Sequence, residues 1–217
     1  MGESDRLPAE SLSPLAALTD EALAVYGYEL TPAIEAIDDA VPGYGGIFDP
    51  GTSADTLRAA LDTVIAASPP PAPRFAVDTA DPHVVVYVDG SSRGNPGPAG
   101  AGAVLQVDDT AVARLGRPIG SHADNNIAEY AALQLGLHAI RSRCAPASVD
   151  VRIDSMTVID DVWRGGSCTP ACQTYSAAVR DLLSAFPAHN WTHLADSDPN
   201  PADARATVGA DIATLGP

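Results

Sequence analysis

Residues 84–88 read Val-Val-Val-Tyr-Val and run directly into Asp89-Gly-Ser-Ser-Arg-Gly-Asn-Pro-Gly97. An unbroken β-branched and aromatic run suits a strand buried on both faces, and the Gly/Pro-rich stretch after it forces the chain to turn back. Asp89 therefore stands where a buried strand emerges. Val149-Asp-Val-Arg-Ile153 repeats the arrangement, and Asp154 closes it. Carboxylates at adjacent strand ends of an α/β sheet repel one another. That repulsion is tolerable mainly if they share divalent cations with oxygen-preferring shells.

The order of elements around these two strands narrows the fold. Strands are expected at 83–89, 99–107 and 111–118, then a helix over 124–143 and a strand at 149–153. Helices over 155–163 and 170–186, a short strand at 191–194 and a helix over 201–213 complete the pattern, with Thr169 placed as N-cap and Pro170 at the first helical position. Meandering strands followed by strands alternating with helices predict an α/β fold, a mixed five-stranded sheet with helices on both faces. Ahead of it, 13–26 and 53–67 carry helical apolar spacing, Ser53 is placed as an N-cap, and 31–41 is a shorter helix ending at Pro42-Gly43. Ser68-Pro-Pro-Pro-Ala-Pro-Arg74 is a polyproline-type spacer. The expected organisation is an acidic helical region over 1–68, a Pro-rich linker over 69–78 and a main domain over 79–217.

Charge cuts across the chemistry suggested by the strand ends. The formal net charge is −16, and all 12 basic residues are arginine. Residues 1–78 hold thirteen acids and three arginines, net −10; residues 79–217 hold fifteen acids and nine arginines, net −6. A phosphate-binding protein is expected to carry basic surface, and the N-terminal region is the less suited of the two to a duplex. A lysine-free, arginine-retaining acidic chain suits a high-salt cytosol, where screening weakens self-repulsion; a GC-rich genome explains the arginine bias without salt. Cys144, Cys168 and Cys172 are an odd set, better matched to reduced intracellular thiols than to a disulfide framework. Neither a signal-peptide pattern nor an apolar stretch of transmembrane length is present, so a cytoplasmic protein with no membrane partner is expected.

Four segments together carry a resemblance: Tyr87 to Gly97 as quoted, Asn125-Asn-Ile-Ala-Glu-Tyr130, Arg152-Ile-Asp-Ser155 and Asn200-Pro-Ala-Asp203. They resemble the ribonuclease H type 1 family in its prokaryotic short form, over residues 80–213. The resemblance implies a ribonuclease H-like fold and a metal-dependent endonuclease that cleaves the RNA strand of RNA/DNA hybrids. It implies Asp89, Glu129, Asp154 and Asp203 as catalytic carboxylates and as ligands of two Mg²⁺ (or Mn²⁺) ions, with Asp89 touching both. The residues agree independently: Glu129 lies one turn into a helix whose apolar stripe of Ile127, Leu133, Leu137 and Ile140 faces the sheet. Asn95, Asn125 and Asn126 match positions that approach the minor groove and its 2′-hydroxyls, and Ser91 and Ser155 match residues that position the backbone. As ordinary polar residues, the same side chains would serve as turns and helix caps.

The chain departs from the family after the last strand, where Ala195-Asp196-Ser197-Asp198 replaces the usual basic residues, and the fourth motif is shortened. These departures leave open a second reading, a catalytically weak or inactive hybrid-binding or regulatory protein that retains the fold. Cys168, Cys172, His189 and His193 have ligand chemistry for zinc, but are read as packing because they fall on different elements. Trp163 and Trp191 are expected to pack the sheet rather than stack on bases. For residues 1–68, docking of a protein partner or self-association is the expectation.

Overall fold

The computed structural model describes residues 7–67, 69, 82–195 and 197–216. The linker expected over 69–78 lies outside these residues except for position 69. Strands β1 (His83–Ser92), β2 (Gly97–Val107) and β3 (Thr110–Ala123) form the expected antiparallel meander, and β4 (Ser148–Ile153) and β5 (His189–His193) add in parallel, giving the order β3-β2-β1-β4-β5. Each meander strand is longer than its sequence pattern suggests. The added Gly- and Ser-rich residues are held by ladder pairing with the neighbouring strand, which overrides their weak strand preference.

Helix α4 (Asn125–Arg143) packs on one face of the sheet, capped by Asp124, whose carboxylate accepts from the Ile127 amide at 2.9 Å. The helix expected over 155–163 is instead a single turn, α5 (Met156–Val158), that widens into a π turn over Ile159–Trp163. The next helix opens with a tight turn at Pro170–Cys172 and continues as α6 (Gln173–Ser184), packed against α4. Helix α7 (Asp203–Ile212) lies directly across β1, β2 and β3.

The N-terminal helices α1 (Pro14–Val25), α2 (Leu30–Ala40) and α3 (Ala54–Ala67) form at the three places the apolar spacing indicates. Leu15, Leu23, Ile37 and Leu61 belong to the same buried cluster as Leu115 and Ile119 of β3. The segment binds the outer edge of β3: the Gly116 amide donates to the Tyr28 carbonyl, Glu10 N–H to Ile119, and Ser121 N–H to Ser11. Beneath these bonds, Asp20 and Arg117 form an ion pair at 3.1 Å with side chains 0% and 1% exposed, and Arg117 also donates to the Leu7 carbonyl.

Candidate active site

The parallel pairing of β1 and β4 sets Tyr87 opposite Arg152. Two residues further along each chain, Asp89 and Asp154 therefore emerge side by side at the same end of the sheet. Glu129 reaches them because α4 approaches β1 unusually closely at Gly90, where an added Cβ would lie 2.4 Å from the Glu129 amide nitrogen. One carboxylate oxygen from each of Asp89, Glu129 and Asp154 lies within 4.8 Å of the others.

Asp203 comes from the other layer. Gly102 of β2 admits the start of α7, since a Cβ there would stand 2.4 Å from the Ala202 carbonyl. The Asn200 side chain staples the incoming loop: its amide donates to the Val88 carbonyl at 3.0 Å, and its oxygen accepts from Ala202 N–H at 3.0 Å. Asp203 thereby lines a cleft of about 710 Å³ with Asp89, Asp154, Asp198, Asn200 and Tyr87. It stands outside the tight trio of carboxylates. Asp198 is engaged locally, accepting from the Ala195 amide at 2.9 Å, and Asp211 pairs with Arg93 at the far end of α7.

Burial and mutual repulsion dominate the electrostatics. Asp89 is 7% exposed, and desolvation, followed by the charges of Asp154 and Asp203, pushes its pKa up to about 7. Glu129 is also raised well above the usual carboxylate range, mainly by burial and then by Asp154 and Asp89; the Gly90 amide and Asn125 offset part of this. Asn125 donates to Glu129 Oε1 at 3.3 Å, whereas Oε2 is buried with no hydrogen-bond partner. Buried polar atoms are normally satisfied. A hard divalent cation fits this donor set, because it satisfies the lone oxygen and neutralises the repulsion among oxygen ligands.

The other expected site residues surround the trio. Ser91 lies on β1 two residues beyond Asp89, and Asn95, in the turn between β1 and β2, accepts from the Asn125 amide at 3.2 Å through Oδ1. Asn126 is half-buried at the start of α4. Ser155 caps α5, accepting from Val158 N–H at 3.4 Å. The cysteines and histidines do not assemble a zinc centre; among the described residues, the carboxylate trio is the sole group of three or more with metal-ligand geometry. His189 bonds the Trp191 indole at 3.0 Å, while His193 turns to the active site, with Nε2 3.1 Å from the Asp154 carbonyl oxygen. Position at the end of the last strand was the signal that could have marked His193. Trp191 packs inward as expected; Trp163 stacks on it with centroids 6.4 Å apart but remains 47% exposed.

A family model described as reverse transcriptase-like matches residues 87–209. The chain is 34% identical over 133 residues to ribonuclease HI of Halobacterium salinarum, covering 60% of this chain and 65% of that protein. The crystal structure of that archaeon's RNase H1 superposes with a TM-score of 0.55 at 34% identity, covering 59% of this chain and 98% of that one. The N-terminal RNase H domain of Rv2228c from Mycobacterium tuberculosis, solved as a fusion with maltose-binding protein, gives a TM-score of 0.57 at 33% identity, covering 61% of this chain and 96% of that one. LC11-RNase H1, isolated from compost by a metagenomic approach and solved in complex with an RNA/DNA hybrid, gives 0.55 at 25% identity, covering 61% and 99%. The chain thus spans just under two thirds of the halobacterial protein, and it covers 22% of full-length Rv2228c. With its sheet order and strand-end carboxylates, and with a family match over more than half its length, the chain belongs to the ribonuclease H type 1 family.

Proposed function

We propose that this protein is a metal-dependent endonuclease that hydrolyses the RNA strand of RNA/DNA hybrids, leaving 3′-hydroxyl and 5′-phosphate ends. The observation that carries the reading is the trio formed by buried Asp89 and Glu129 with exposed Asp154, and its unsatisfied Glu129 oxygen. Support for the substrate comes from the relative crystallised with an RNA/DNA hybrid. Asp89, Glu129, Asp154 and Asp203 would hold two Mg²⁺ or Mn²⁺ ions. When bound, such a pair activates water and stabilises both oxygens of an in-line displacement.

The chain's own groups supply orientation. Asp89 feels the charges of both Asp154 and Asp203, and it would be the carboxylate shared between the ions. Asp203, at the first turn of α7, faces the cleft from the opposite layer. Asn95, Asn125 and Asn126, clustered beside Glu129, offer amides to 2′-hydroxyls and base edges, by which RNA is told from DNA. Ser91 and Ser155 position the adjoining backbone. Arg93, Arg152 and Arg164 are the cations proposed for phosphate, although Arg93 pairs with Asp211, Arg152 with Asp150 and Arg164 with Asp160.

The test is cleavage of an end-labelled RNA/DNA hybrid with Mg²⁺ or Mn²⁺ across salt concentrations, with Asp89→Asn as control. Metal-dependent cutting of the RNA strand that disappears in the variant supports the enzyme. The stance of Asp203 outside the trio favours the second reading, a weakly active or inactive hybrid-binding protein. Hybrid binding without cleavage under every condition would select it.

A further inference from the structure

Asp161 is a charged residue that the proposed chemistry does not use, and it is 3% exposed. It sits in the π turn that follows Asp154 along the chain. Its Oδ2 accepts from the Tyr130 hydroxyl at 2.8 Å and from the Ser176 hydroxyl at 2.6 Å, and its Oδ1 pairs with Arg180 at 2.7 Å. A buried charge is costly unless fully bonded, and an aspartate so deeply placed demands a geometric return. Desolvation raises its pKa, but the bonds from Ser176, Tyr130 and Arg180 outweigh it and hold the carboxyl below its ordinary value.

The partners disclose what the bonds fix. Tyr130 is the residue after Glu129 on α4. Ser155, the residue after Asp154, caps the turn that carries Asp161: its hydroxyl accepts from Val158 N–H and its carbonyl from Ile159 N–H. The Tyr130–Asp161 bond therefore closes a loop that runs from Glu129 through Tyr130, Asp161 and α5 back to Asp154. The one open side of that loop is the gap between the two carboxylates. Asp161 lies inside the π turn, and π turns inserted in helices are frequent at functional sites.

We propose that Asp161 and Tyr130 are positioning residues, a brace that sets the separation of Glu129 and Asp154 and thereby the affinity of the carboxylate cluster for divalent cations. The inference rests on the metal-binding reading of that cluster. Partners one shell removed from metal ligands commonly control affinity by orienting them.

Ser176 supplies the internal control, because it gives the same carboxylate the same kind of bond from α6, which carries none of the ligands. Calorimetric titration of the full chain with MnCl₂ reads the effect without reference to turnover, beside thermal melts of the metal-free proteins. Tyr130→Phe is expected to weaken Mn²⁺ binding by about 10-fold, and Asp161→Asn, which keeps the shape but weakens all three bonds, by at least as much. Ser176→Ala should lower the melting temperature yet bind Mn²⁺ like the wild type. Unchanged affinity in Tyr130→Phe would overturn the brace, as would equal losses in Tyr130→Phe and Ser176→Ala. A wild-type chain that binds no Mn²⁺ would remove the metal reading itself, an outcome distinct from either.

Discussion

Replacing Asp89 with asparagine should abolish cleavage and, in the metal-free protein, increase stability in a pH-dependent way. The carboxyl's pKa rises from 3.8 to about 7 on folding. A carboxylate with a raised folded pKa binds its proton more tightly when folded, so it costs nothing below about pH 4 and progressively destabilises as pH climbs through 7. Three units at about 1.36 kcal/mol each set a ceiling near 4 kcal/mol at pH 8. Asparagine removes the charge but still buries an amide, at about 1–3 kcal/mol. The expected net gain is about 2 kcal/mol, or a melting temperature about 4–8 °C higher for a chain of this size. Urea unfolding of both proteins at pH 4 and pH 8, in the presence of a chelator, isolates the difference because other titrating groups cancel. Millimolar Mg²⁺ should then stabilise the wild type and not the variant. A stability difference that stays constant from pH 4 to pH 8 would refute the claim that burial and repulsion strain this carboxylate.

The remaining expectations concern the fourth carboxylate, the surface and the N-terminal helices. Asp203→Asn should slow hybrid cleavage by at least about 10²-fold, roughly 3 kcal/mol of barrier, whereas Asp198→Asn and Asp211→Asn should cost far less; a dominant loss in Asp198→Asn would reassign the site. Across the −16 chain, screening should raise the melting temperature between millimolar and molar KCl, and a flat or falling curve would point to compositional drift instead. Asp20→Ala leaves the buried Arg117 unpaired and should cost about 3–5 kcal/mol by urea unfolding. A cost near zero would mean that residues 7–67 are loosely attached.

Much of the candidate site was legible because its carboxylates stand at strand ends or one turn into a helix. Asp89 follows an unbroken apolar run and Asp154 an alternating strand, each stopping at an acid, and Glu129 follows from one helical turn of spacing. The N-terminal region was legible as helices but not as a partner of β3. Amphipathic spacing says that a helix has a buried face without naming what covers it, and Asp20 finds Arg117 97 residues away. Asp161 was hidden for a different reason. The pattern over 155–163 suits an ordinary helix, whereas the chain takes a π turn there and Asp161 within it bonds Tyr130. His193 was weighed as a zinc ligand and turned out to touch Asp154, since nothing in strand alternation fixes which neighbour an end residue meets.

The bonds along the outer rim of β3 bear on whether another copy could add to the sheet there. An uncovered strand invites another copy to continue the sheet, and acidic proteins ordinarily resist such stacking by repulsion at a distance. At molar salt the screening length shrinks to about 3 Å, so repulsion no longer acts before two surfaces meet. Here the rim's backbone groups at Gly116, Ile119 and Ser121 are already bonded to Tyr28, Glu10 and Ser11, a safeguard that does not depend on ionic strength. Cutting the chain at residue 79 would strip it away and leave the excised sheet most prone to self-association in brine, where its charge protects it least.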